Sequence, residues 1–166
     1  MKTFFVLILS TILTLTVYSQ EVLNNELPLI NGKVTYSGII KIDSLSKDEI
    51  YQRVRLWLAY NYDNIKLDTK ERIICLGHTQ IGNAYILQTI TIWIKEGSYK
   101  YEITNFQITQ HIVMNGTSED IDEPLEKYHS FLGIGKKFAF KNIDNQIVLL
   151  IKSLDTAIKT KTTDNW

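Results

Sequence analysis

The chain has 166 residues, 18 basic against 18 acidic side chains, a single cysteine and 45% hydrophobic residues. That length suits one domain with a proper core, and the balanced charge argues against nucleic acid as a partner. One cysteine excludes an intramolecular disulfide, so stability has to come from packing.

Lys2 followed by the apolar run Phe4 to Tyr18 has the layout of a secretory signal peptide, and Val17 and Ser19 supply the small-residue pattern that predicts a cut after Ser19. The run falls short of the roughly twenty apolar residues a spanning helix needs. The polar stretch Gln20, Glu21, Asn24, Asn25 and Glu26 follows directly, so cleavage is expected, with no transmembrane segment left behind. No cysteine stands at the cut for lipid attachment, so a periplasmic or secreted protein that is not a lipoprotein is expected. The leader takes Lys2 and no acid with it. Lys136, Lys137 and Lys141 form the only short basic cluster between apolar segments and read as solvated surface.

Residues 20–33, with Pro28 and the turn pair Asn31-Gly32, predict an extended lead-in to a single domain over 34–160. Val34, Tyr36, Ile40 and Ile42 share one face of a predicted strand, with Gly38 between them. Ser46 stands three residues before Glu49, the capping-box spacing, so a helix is expected to follow with Ile50, Val54, Trp57, Leu58 and Asn61 on one face. Ile65 and Leu67 mark a short strand that turns at Asp68 to Lys70 into a second strand from Glu71 to His78. After a turn at Gln80 to Asn83, a long strand from Ala84 to Lys95 ends at Glu96-Gly97, a two-residue hairpin turn.

Pairing Lys95 with Ser98 sets Ile94 opposite Tyr99, Ile92 opposite Tyr101 and Ile90 opposite Ile103 on one face. Carried further, the same register puts Gln88 beside Asn105 on that inner face and sends Leu87 with Phe106, and Tyr85 with Ile108, to the other. Either a bulge near Thr104-Asn105 resets the register, or both faces are covered at that end. This switch is the most unusual feature of the sequence.

The acidic stretch Asn115 to Glu123 reads as a surface loop. Pro124 and Gly133 suggest a short helix between them. After Lys136 to Lys141, the stripe Ile143, Ile147, Leu150, Ile151, Leu154 and Ile158 predicts a long helix suited to lying across a sheet. Residues 161–166 are expected to fray. The order strand, helix, antiparallel strands, long helix gives an α+β fold, with a long C-terminal and one N-terminal helix against the sheet.

Catalytic and metal motifs are weak. Cys75 and His78, three apart in a strand, point to opposite faces and make a poor dyad; Cys75 is expected to be an inert core thiol. His78, His111 and His129 are too scattered for zinc, and Glu126 with His129 lacks matching ligands for a helical metal site. Asp120, Asp122 and Glu123 are too few for a dedicated calcium loop, and Asn115-Gly116-Thr117 fits the glycosylation sequon only at the level of chance. No nucleophile elbow or phosphate-binding glycine loop is present.

Three segments carry a family likeness: Gly32-Lys33-Val34 before a strand, Ser46-x-Asp48-Glu49-Ile50-Tyr51 leading to Trp57-Leu58, and the hairpin Lys95-Glu96-Gly97-Ser98-Tyr99-Lys100-Tyr101. The chain resembles, from about Leu27 to Gln110, the exported bacterial domain of unknown function 4468, a family described as having a TATA-binding-protein-like fold. The resemblance implies an envelope protein whose curved antiparallel sheet grips a long helix. It brings no activity, cofactor or functional residue, and the C-terminal part departs into less recognisable sequence.

The leading expectation is a non-enzymatic module that binds a small apolar ligand or an envelope protein in a sheet–helix cleft faced by Tyr36, Trp57, Tyr99 and Tyr101, with no cofactor. The alternative is an interaction module that uses an apolar outer sheet face formed by Tyr85, Leu87, Trp93, Phe106 and Ile108. A hydrolytic enzyme ranks last, because no nucleophile, base and orienting group assemble from the spacing.

Overall fold

The computed structural model describes residues 21–23, 27–81, 84–114, 117–127 and 133–160. The predicted leader, the sequon's first two residues, His129 and the tail 161–166 lie outside them. The first described elements are three strands, β1 (Glu21–Leu23), β2 (Leu27–Ile30) and β3 (Lys33–Val34), which pair antiparallel into a small sheet. Over residues 21–23, 27–30 and 33 the expected lead-in is therefore strand. Asn31 and Gly32 both take positive φ, of 53° and 75°, which lets the chain reverse between β2 and β3.

The main sheet is built from β4 (Tyr36–Lys41), β5 (Ile65–Asp68), β6 (Arg72–Ile81), β7 (Ala84–Lys95), β8 (Ser98–Met114) and β9 (Thr117–Pro124). Its order is β4-β8-β7-β6-β5, with β9 also on β8, and every pairing is antiparallel. Helix α1 (Lys47–Asn61) follows β4 and opens with the predicted capping box. Ser46 Oγ accepts from Glu49 N at 3.3 Å while Glu49 Oε2 accepts from Ser46 N at 2.9 Å, satisfying two backbone donors that the first turn leaves free. Ile50, Val54, Trp57 and Leu58 form its buried face.

Helix α2 (Gly133–Lys159) begins earlier than the stripe predicted, taking in the lysine cluster and adding Phe140 to the buried row of Ile143, Ile147, Leu154 and Ile158. Gly133, expected just past a short helix, instead opens α2; only one 3-10 turn (Leu125–Lys127) lies between β9 and the undescribed residues 128–132. Glu126 of that turn accepts from Val34 N at 2.7 Å and ties it to β3. At the far end of α2, Arg53 of α1 donates to the carbonyls of Ile158 at 2.6 Å and Thr160 at 3.3 Å, neutralising part of the helix's negative terminus.

The acidic stretch is not a surface loop. β9 pairs residue for residue with β8, from Met114↔Thr117 to Gln107↔Pro124. β4 covers the same edge of β8 only over Ser98 to Ile103, leaving that edge of the strand's far half open while β7 lines the other. Backbone groups there need partners, and that demand overrides the poor strand propensity of Asp and Glu.

The β7–β8 hairpin keeps the predicted register from Lys95↔Ser98 to Thr89↔Thr104 and resumes at Leu87↔Gln107. Asn105 and Phe106 together stand against Gln88, a β-bulge, and Asn105 takes φ 54°, the left-handed region that Asn tolerates. The extra residue turns the following side chains over. Phe106 and Ile108 therefore enter the core, at 1% and 4% exposure, and do not belong to the outer face as the uninterrupted register implied. Tyr36 meets Phe106 edge-on at 6.0 Å within one continuous core that joins both sheets' strands to α1 and α2.

Candidate functional site

The four aromatics expected to face a cleft occupy the seam between sheet and helices, and the polar tips of three are engaged by α2. The Tyr36 hydroxyl donates to Asp144 Oδ1 at 2.9 Å, Trp57 Nε1 to Ser153 Oγ at 3.0 Å, and the Tyr99 hydroxyl to Asp155 Oδ1 at 3.2 Å. Tyr101, partly buried, lies over Gly38 on the neighbouring strand, so closely that a Cβ there would sit 2.6 Å from the hydroxyl. Gly38 is thus the seat for a ring. Burial, then the adjacent Asp144 and Asp155 carboxylates, push the phenols of Tyr36 and Tyr99 well above the usual tyrosine range. These side chains bind the protein's own helix.

The outer-face group is divided by the bulge. Tyr85 and Leu87 remain open, at 48% and 43% exposure, whereas Trp93 is half-covered, with the Lys100 ammonium 4.7 Å above its ring. With Phe106 and Ile108 in the core, no continuous apolar face unites the five.

A cavity of ≈ 540 Å³ instead opens where the bulge interrupts the sheet. The α1–β5 connection contributes Tyr62, Asp63 and Asn64; β6 contributes Leu76, Gly77 and His78; β7 contributes Leu87, Gln88 and Thr89; and β8 contributes Asn105 and Gln107. Tyr62 is held by an edge-on contact with Trp57 at 5.7 Å, and burial pushes its phenol up to about 12. Gly77 lets that ring close on the sheet, since a Cβ there would meet Tyr62 Cε1 and Ile90 Cδ1 at 3.0 Å.

The wall is rich in carboxamides. Gln88 is 2% exposed, and its Nε2 donates to Thr79 Oγ1 at 3.2 Å while Oε1 has no partner among the described residues. Asn105 is held only at arm's length, by Lys33 Nζ and Thr89 Oγ1, each at 3.5 Å. The Gln88–Asn105 pairing was the sequence's one anomaly; Asn64 and Gln107 gave no signal, because their approach to it depends on how the strands curve. Cys75 and His78 lie on opposite faces of β6, the thiol buried and the imidazole exposed, and burial raises the thiol to about 11. Among the described residues no cluster of three or more His, Cys, Asp or Glu is placed to hold a metal, and no helix is long and apolar enough to cross a membrane.

An antiparallel sheet carrying helices α1 and α2 defines an α+β protein of TBP-like, helix-grip architecture. Residues 36–109 match the domain of unknown function 4468 (DUF4468) with TBP-like fold. A TBP-like protein from Parabacteroides distasonis superposes with a TM-score of 0.63 at 17% identity, over 81% of this chain and 98% of its own. A DUF4468 family protein from Bacteroides ovatus gives a TM-score of 0.61, also at 17% identity, over 83% and 93%. These likenesses carry the fold alone. No curated protein matches the sequence.

Proposed function

We propose that this protein is an exported envelope module that binds a small molecule at the bulge cavity and performs no chemistry on it. The observation that carries the reading is the ≈ 540 Å³ cavity, within the ~300–1,000 Å³ span of small-molecule sites, with its convergent polar side chains. The aromatic seam first considered as a cleft is the weaker candidate, since its polar groups already serve α2. The raised thiol and the opposed faces of Cys75 and His78 support a non-catalytic role. The leader pattern of residues 1–19 supports export.

Native mass spectrometry of protein recovered from exporting cells tests binding. A bound mass absent from Thr89→Trp, which fills the cavity wall, is the expected result. A bound mass that persists in the filled variant, or repeated preparations without one, overturns the assignment.

A further inference from the structure

Resting on the cavity as the binding site, we infer that its ligand is a neutral saccharide. Asn64, Asn105 and Gln107, all exposed, each offer a donor and an acceptor, which is what vicinal hydroxyls require. An apolar ligand would strip water from these carboxamides and give no hydrogen bond in return. An anion has little to attract it, because the one fully charged lining residue is Asp63 and the Lys33 ammonium reaches the site only through Asn105 Oδ1.

The lining also has the mixed character a sugar ring needs. Leu76 and Leu87, 38% and 43% exposed, give an apolar floor for the ring's C–H face beside the polar wall. The residues run across the faces of three strands rather than along one unpaired edge, so an extended peptide adding backbone hydrogen bonds does not fit the geometry. The bulge is the element that makes the arrangement possible, since it re-aims Asn105 and breaks the strand alternation beside Gln88.

The test is titration of ¹⁵N-labelled, exported protein with maltose, cellobiose and diacetylchitobiose to about 10 mM, beyond the weak end of specific recognition. Glucose 6-phosphate and decanol serve as charged and apolar contrasts. The expected result is a shift of resonances at residues 62–64, 87–89 and 105–107 with at least one disaccharide. Asn105→Gly, which suits the positive φ, and exposed Gln107→Ala should keep the fold and weaken binding about tenfold each, the loss of one good hydrogen bond.

Shifts at those residues with decanol or the phosphate ester alone overturn the saccharide while leaving the cavity as the binding site. Saccharide shifts unchanged by both variants overturn it as well. Silence there with every probe removes the ligand and the site together.

Discussion

The Tyr36 hydroxyl donates to Asp144 Oδ1 at 2.9 Å, joining residues 108 positions apart and pinning the first strand of the main sheet to the long helix. Trp57 with Ser153 and Tyr99 with Asp155 repeat the device further along α2. Each aromatic fills the core with its ring and fixes the helix's position with its polar tip.

Tyr36→Phe keeps the edge-on contact with Phe106 but loses the hydrogen bond, so it should cost about 1 kcal/mol of stability. Tyr36→Ala also leaves a cavity and should cost about 3–5 kcal/mol. Denaturant unfolding of the two variants measures the difference. Equal losses would show that the hydroxyl, and not the ring, carries the residue's contribution.

Alkali should unfold the protein before it titrates these groups. Tyr62 rises from 10.0 to about 12 and Cys75 from 9.0 to about 11, both through burial first, and Tyr36 and Tyr99 rise further. Because the folded values lie above the unfolded ones, this stability is complete below the unfolded values of 9.0 and 10.0. It declines as pH climbs toward the folded ones, by up to about 1.4 kcal/mol per pH unit for each group. Unfolding midpoints should hold to about pH 9 and then fall, less steeply in Tyr62→Phe. A midpoint that stays level to about pH 11 contradicts the assignment.

The backbone of Asn105 sits at φ 54°, where a β-branched residue is strained. Asn105→Val should destabilise by about 1–2 kcal/mol, and Asn105→Gly should stay within about 1 kcal/mol of the parent. Thermal melts of the pair decide whether the bulge depends on this conformation. A valine variant as stable as the glycine one would mean the register is set elsewhere.

Gln88 offers a separation of stability from binding. Replacing it with Leu, together with Thr79→Val, removes the buried oxygen and its neighbour's partner at once, and should raise stability by about 1 kcal/mol while leaving cavity binding unchanged. A stability measurement beside the saccharide titration checks both. A less stable double variant would place a hidden donor on Oε1.

Export has its own signature. Expression of the full chain in a secreting bacterial host should yield a product beginning at Gln20, read by intact mass. A product retaining residues 1–19 would point to an uncleaved anchor.

Local chemistry made several elements legible before any coordinates. Ser46 and Glu49 named the start of α1, Glu96-Gly97 fixed the hairpin and its first seven pairs, and the row from Ile143 to Ile158 placed a helix against a sheet. Those signals are short-range: a cap, a turn and a periodicity are each written in neighbouring residues.

What tertiary structure alone decided depends on partners far away in the chain. The acidic residues Thr117 to Pro124 became a strand because the distant half of β8 needed an edge, and Phe106 and Ile108 turned inward because one extra residue at Asn105 reset a face. The same bulge brought Gln88, Asn105 and Gln107 to one cavity with Asn64 from the other side of α1's exit. Composition and spacing set the two main helices and the central strands, while the demand of buried backbone for partners added β9 and settled which side chains met.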